Sequence, residues 1–315
     1  MKRHLILLSV LVLMILSTGK IFSQENNIFR FYYLHQDIQN PAITGSEYIP
    51  KACISYSKQW VGIPESPHTL LASASIRIGN YDFYNPKKIV NTTKFRSQER
   101  VGLGLSVFSD RNGPVASRGI SLSYAYHLPL ENGCFSFGIS GNGAQKILDE
   151  SVFRPTYPGD PVLSGTRESF MFYNASFGAY YYSAGVFGGA AVHHLIPLED
   201  KSRPGNKVKP DVMLHCGYLF SSFGKPMLEI SANLRYLDLY RLEYDFHFRT
   251  YLREVHWLDI SYRSYNAVAL HLGIKISSFY LAYSYEANLS SMIRYQAGSH
   301  AIHLGINLGM RRISW

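Results

Sequence analysis

Charge, cysteine and long hydrophobic runs are all scarce in this 315-residue chain. Charged residues make up 17% of it, well below the roughly 25% usual for soluble domains. Three cysteines, Cys53, Cys134 and Cys216, are too few and too scattered for a disulfide framework or a zinc site, and none stands where a lipid would be attached to a mature amino terminus. Beyond residue 23 no apolar run approaches the roughly 20 residues a spanning helix needs, which excludes a helical membrane bundle. Acidic residues number 22 against 31 basic, for a formal net charge of +9. Lys2, Arg3 and Lys20 carry part of that excess, and the rest is spread along the chain, so nucleic acid is not an expected partner. Aromatic residues, by contrast, are plentiful: 24 Tyr and 18 Phe within a hydrophobic share of 46% exclude a disordered chain.

The amino terminus has the order of a secretory signal. Lys2 and Arg3 precede an apolar run over residues 5–16, followed by small and polar residues, which is the charge, core and exit sequence of an export leader. Residues 1–23 are therefore expected to direct the chain out of the cytoplasm and to be cleaved. Ser23 before Gln24, and Gly19 with Ser17, are the two candidate exits. An uncleaved anchor helix is the rival reading, and the run is short for a bilayer crossing.

Past residue 50 the sequence repeatedly takes period two, the signature of strands. Val101, Leu103, Leu105 and Val107 alternate with Gly102, Gly104 and Ser106; Ile120, Leu122, Tyr124 and Tyr126 alternate with Ser121, Ser123, Ala125 and His127. This pattern predicts fourteen strands, at about 51–60, 68–79, 100–109, 117–128, 133–145, 168–182, 184–195, 210–221, 226–237, 240–250, 254–263, 265–276, 278–287 and 299–310. Their lengths match the roughly 9–11 residues of a tilted transmembrane strand better than the roughly 5–6 of a soluble sandwich. Parity slips near Trp257 and Leu258, which a β-bulge would explain.

Alternation alone does not say whether the apolar face meets a dry core or lipid. Three features favour lipid. The apolar parity turns aromatic at strand ends, at Trp60, Tyr126, Tyr181, Tyr236 and Tyr285, as membrane-interface girdles do. The other parity is polar or very small and includes Glu229, Arg235, Glu243, Asp245, Arg249, Lys275 and Glu286, suited to a wet lumen or to charge balance inside a filled barrel. Connections after even strands are mostly tight, while those at 146–167, 196–209 and 288–298 are long, the asymmetry of an outer-membrane barrel with its amino terminus in the periplasm. The exception is the long connection at 80–99. The expected fold is thus all-β, a transmembrane antiparallel β-barrel of about fourteen strands, with 24–50 as a periplasmic or plug segment, 51–310 as the barrel and 311–315 as a tail.

Candidate chemistry is sparse. Adjacent His193 and His194 would point to opposite faces of a strand, so they do not chelate one metal together. No Ser and His are selected by a local motif for the nucleophile and base of an outer-membrane lipase. Gly102 and Gly104 lie within a strand and do not make a phosphate loop. No cofactor, metal or catalytic residue is expected. The candidate contact residues are Asn40 and Pro41, in turn chemistry that either tucks into the periplasmic mouth or plugs the lumen; Gln59, Trp60 and Gly62, at a rim; and Lys87, Lys88 and Arg96, in a connection that is either a docking surface or a solvated loop.

Several segments, taken in order, carry a family resemblance. They are Asn40-Pro41-Ala42 with Gly45; Gln59-Trp60-Val61-Gly62-Ile63 followed by Pro67-His68-Thr69; Val101-Gly102-Leu103-Gly104-Leu105-Ser106-Val107-Phe108 with Gly113-Pro114; Ser123-Tyr124-Ala125-Tyr126-His127-Leu128-Pro129-Leu130; Phe135-Ser136-Phe137-Gly138; and Gly298-Ser299-His300-Ala301-Ile302. Together they resemble the PorP/SprF family of outer-membrane proteins of the type IX secretion system. The resemblance implies a non-enzymatic barrel in outer-membrane lipid that assists export or surface attachment of cargo with a carboxy-terminal sorting domain, gliding adhesins among them, beside the translocon and periplasmic ring components. It supplies no catalytic residues. The competing expectation is a passive transporter of small or hydrophobic solutes.

Overall fold

The computed structural model describes residues 34–47, 49–78, 100–149, 167–196, 209–220, 227–237, 241–252, 256–264 and 267–307. The leader, the connection at 80–99 and the tail at 311–315 lie outside the described residues. Fourteen strands follow in order: β1 (Lys51–Lys58), β2 (His68–Ile78), β3 (Val101–Asn112), β4 (Val115–Leu130), β5 (Gly133–Asp149), β6 (Arg167–Tyr182), β7 (Val186–His193), β8 (Asp211–Phe220), β9 (Met227–Leu237), β10 (Arg241–Leu252), β11 (His256–Arg263), β12 (Ala267–Ile276), β13 (Phe279–Asn288) and β14 (Ser299–Asn307). Each pairs antiparallel with its sequence neighbours, and β1 pairs with β14 from Lys51↔Asn307 to Lys58↔His300, closing the barrel. Closure is what a hydrocarbon environment demands, because each unpaired backbone group there costs several kcal/mol.

The side chains are arranged inside out relative to a soluble protein. Ile54, Leu105, Leu122, Ile139, Phe246 and Leu304 are among the large hydrophobics left exposed, whereas Arg77, His127, Asp259 and His303 are completely or almost completely buried. Charged groups are almost never fully buried unless paired, so an enclosed polar lumen and a lipid-facing apolar wall account for both lists. This decides the question that alternation left open.

The tight turns at 131–132, 183–185 and 277–278 share one end with the start of β1 and the end of β14. That end is the periplasmic one by the loop asymmetry of such barrels. At the opposite end the expectation needs correction. Residues 113–114 form a two-residue turn, because β3 runs on to Asn112 and β4 starts at Val115, and β5 continues to Asp149. Residues 110–112, 115–116 and 146–149, read as connection from their polarity, extend the wall.

A second correction concerns Trp257. The ladder from β10 through β11 to β12 is unbroken, with Trp257↔Gly273 and Leu258↔Leu272 as partners, so no bulge is present. Trp257 simply faces the lumen, and its indole lies where a Cβ on Gly273 would stand. The same device recurs at Phe108 over Gly119, Phe187 over Gly217 and Tyr280 over Gly305. The inward parity is therefore not small throughout. At these four positions it carries a ring over a cross-strand glycine, an arrangement that fixes register. Gly273→Val is expected to displace the indole and to cost about 1–3 kcal/mol, measured as a lower urea midpoint for loss of the compact, heat-modifiable band in gel electrophoresis.

Candidate functional site

The lumen is the most elaborated part of the molecule, and it is filled in two ways. On the β1–β7 side it is filled by the segment preceding β1. A single helical turn, Gln36–Gln39, leads into a 3-10 turn at Pro41–Ile43, with Asn40 between them. Asn40 caps the second turn by accepting from Ala42 N at 2.9 Å, while its Nδ2 donates to the carbonyls of Ala179 and Ala190 at 3.1 and 3.3 Å. Proline at the first position of that turn gives up only an amide hydrogen that would be unused there anyway.

The wall is shaped to receive this segment. A Cβ on Gly102 would strike the Thr44 carbonyl; on Gly138, the Pro41–Ala42 peptide; on Gly178, the Asn40 side-chain oxygen. Inward side chains then bind its backbone: His127 Nε2–H donates to Thr44 O at 2.9 Å, His193 Nε2–H to Gln39 O at 2.7 Å, and Ser136 Oγ–H to Ala42 O at 2.8 Å. Deeper in the barrel His35 bridges Ser73 and Ser55, both at 2.7 Å. Ala42 and Ile43 pack on Tyr180, with Tyr182 and Phe187 alongside, the one cluster of buried apolar side chains that the described residues form. Of the two placements open from sequence, the structure takes the lumen plug.

On the β8–β13 side the lumen is closed by ion pairs. Arg249 donates to Asp259 at 2.9 Å and lies 3.3 Å from Glu229; Arg235 meets Asp211 and Glu243 at 3.4 and 3.6 Å; Arg263 meets Glu286 at 2.8 Å. Arg241 also pairs with Glu243. Buried pairs of this kind gain little over apolar packing, but removing one partner is expensive. The network therefore fixes how the strands meet and places charged side chains across this half of the lumen. His247, Asp259 and His271 bring one donor atom each within 4.8 Å of one another. Asp259 is already engaged by Arg249 and by His247 at 3.2 Å, and His271 shares hydrogen bonds with Ser261 and Ser284. The arginine charge beside these donors opposes a cation, and the cluster reads as part of the lining.

The candidate contact residues separate into three places. Asn40 is completely buried and Pro41 almost so, so neither offers surface to a partner while the plug is seated. Gln59, Trp60 and Gly62 lie at the rim opposite the termini. Gln59 is itself buried and its backbone N–H donates to Pro67 O at 2.8 Å. Trp60 and Gly62 take φ of 47° and 104°, and Val61 exchanges backbone hydrogen bonds with Gly298 and Ala297. This block knots the first rim loop to the loop before β14 and so locks the closure seam. Lys87, Lys88 and Arg96 lie outside the described residues. His194 lies past the end of β7 with φ of 58°, its Nδ1 3.5 Å from Asp211. The glycine cradle and the plug-binding histidines escape sequence reasoning; their one signal is inward-parity glycine at 102, 138 and 178.

A closed, plugged, lipid-facing barrel defines the class as an outer-membrane β-barrel protein. The family model for the type IX secretion system membrane protein PorP/SprF matches residues 21–306, and the chain belongs to that family. Among solved structures, the Ralstonia pickettii toluene transporter TbuX is similar in fold at 11% identity, with 86% of this chain and 92% of that chain covered and a TM-score of 0.51. The Acinetobacter baumannii outer membrane protein Omp33 matches at 8% identity over 83% and 99%, with a TM-score of 0.48. No protein of curated function matches the sequence.

Two predictions concern the plug. Gly138→Val is expected to unseat residues 40–44, and in planar bilayers to replace a silent barrel with frequent, long-lived conducting events. Burial lowers the His35 pKa from 6.5 to about 3, helped by the neighbouring His303 and Lys51 charges, so the seated plug holds His35 neutral. Its contribution to seating is complete above pH 6.5 and is lost as pH falls toward 3, because the released segment binds the proton more readily. Asp37 acts oppositely, its pKa raised by burial. The wild-type protein should therefore show a rise in conductance between pH 6.5 and 4 that is smaller in His35→Gln.

Proposed function

We propose that this protein is a non-enzymatic accessory of type IX secretion, a barrel whose surfaces and loops, and not its bore, do the work. On this reading residues 1–23 are a cleaved export signal. The mature barrel stands in the outer membrane beside the translocon and helps cargo with a carboxy-terminal sorting domain, such as a gliding adhesin, to leave or to remain attached at the surface. The observation that carries the proposal is the double filling of the lumen, by a plug hydrogen-bonded to the wall at His127, Ser136 and His193 and by the ion pairs opposite it. The periplasmic connection at 80–99, with Lys87, Lys88 and Arg96, is the proposed docking surface for ring components, and the Gln59–Gly62 rim block supports contacts on the other face.

The Ser–His hydrogen bonds of the described residues, including His193 with Ser176, His271 with Ser284 and His303 with Ser55, lie inside the wall. A lipase would need such a pair on the outer surface or rim, so they support a structural role. The second reading is a transporter of small hydrophobic solutes, favoured by the likeness of the wall to a protein described as a toluene transporter; it requires the plug to move. Deletion of the gene distinguishes the two. Sorting-domain cargo accumulating in the periplasm and missing from the surface, with solute uptake unchanged, supports the proposal. Cargo correctly displayed while uptake of a hydrophobic solute falls overturns it.

A further inference from the structure

The outer face of the barrel is not uniform around its circumference. Toward the end opposite the termini, the lipid-facing parity of β9, β10, β11 and β13 carries aromatic residues, Tyr236, Tyr244, Tyr262 and Tyr285, the ordinary girdle of an outer-membrane barrel. Across β1–β4 the outward row finishes in basic residues instead. Lys58 follows Ile54 and Tyr56, His68 precedes Leu70, Arg111 follows Val107 and Ser109, and Arg118 precedes Ile120. Strand register aligns them: Lys58 is the partner of His68, His68 of Arg111, and Arg118 of Ser109, two residues from Arg111. Arg167 on β6 is not part of this row, since Asp149 stands opposite it. Among the described residues the acidic group at the row is Glu65, whose carboxylate lies 3.5 Å from Arg111 with both side chains about half exposed, and such a solvent-screened pair holds Arg111 only weakly. Arg111 also donates from Nε to Gly113 O at 3.4 Å.

Further along β1–β3, and across the seam onto β12–β14, the wall is hollowed. Ala52 pairs with Ala74 and Ile54 with Ala72, so three outward alanines form a floor. Leu105, Ile276, Leu281 and Leu304 stand around it, enclosing a groove of about 670 Å³. Ala72 is four residues from His68 and Val107 four from Arg111, so the groove begins about 13 Å along the strands from the cations. An occupant must therefore be anionic at the membrane boundary and long enough in hydrocarbon to reach a groove that begins about 13 Å further along the strands.

We propose that the β1–β4 face is a binding site for a phosphorylated, multiply acylated glycolipid of the outer leaflet. Its phosphate is held by Lys58, Arg111 and Arg118, and an acyl chain fills the groove over Ala52, Ala72 and Ala74. Such a site anchors the seam-bearing side of the barrel in the outer leaflet and sets its rotation relative to neighbours in the membrane. The inference rests on the orientation of the wall and not on the secretion reading, so it stands or falls separately.

The test uses the full mature protein in nanodiscs, with bound lipid read by native mass spectrometry. Phosphorylated lipid A is expected to be retained about tenfold more strongly than its dephosphorylated form. The variant K58Q/R111Q/R118Q should lose about that preference. The variant A72L/A74L, which fills the groove and leaves the cations intact, should weaken retention of phosphorylated lipid A as well. Both variants are scored only on the heat-modifiable, folded band. Equal retention by the row variant and wild type overturns the proposal. So does complete displacement of the lipid by inorganic phosphate, which would make the row a free-anion site, or by phosphatidylglycerol, which would make it a generic anionic surface. A second protein copurifying on this face in place of lipid, and released by A72L/A74L, also overturns it.

Discussion

Backbone hydrogen bonding in hydrocarbon is the constraint from which this structure follows. A strand edge left open to lipid would carry a row of unpaired amides and carbonyls, each at a cost of several kcal/mol, so β1 must find β14, and does so over its whole length. Once the wall is closed, outward and inward parities cease to be equivalent. One meets acyl chains and becomes Ile, Leu, Val and ring residues. The other encloses polar groups that must be satisfied within the barrel. The rim knot at Val61, Ala297 and Gly298 reinforces the seam on which that closure depends.

The same constraint explains how the lumen is lined. Inward Arg77, Arg235, Arg249 and Arg263 are all at most about 5–6% exposed, and such groups are tolerated only when paired. The β8–β13 half supplies carboxylates for them. The β1–β7 half has few, and there the chain's own amino-terminal segment enters, offering backbone carbonyls to His127, Ser136 and His193 and filling the space that glycines vacate. Arg77 meanwhile donates to the Tyr182 hydroxyl at 2.8 Å. A barrel built this way presents loops, rims and an outer face to its surroundings.

Much of this was legible in the sequence, and the reason is that period two reports the wall directly. Alternation at Val101–Val107 and Ile120–Leu128 placed strands to within a few residues, and the count of fourteen follows from it. What was not legible depends on cross-strand neighbours. Trp257 looked like a parity slip because nothing in its own strand reveals Gly273 opposite. The extension of β3–β5 past the membrane was hidden by polar residues such as Asp110 and Lys146, which read as loop when the partner ladder is unknown. Asn40 and Pro41 announce a turn but not its destination; that is set by glycines roughly 60 to 140 residues further on. The basic row on β1–β4 is four unrelated residues in sequence and a line only once register is imposed.

The account turns on which parity meets lipid, and spin labelling reads that directly. Single cysteines at positions 120 to 126, placed in a cysteine-free variant and reconstituted in bilayers, should show high oxygen accessibility at 120, 122, 124 and 126. Positions 121, 123 and 125 should be low both to oxygen and to an aqueous relaxation agent. An inverted alternation, or labels at even positions relaxed by the aqueous agent alone, would contradict it.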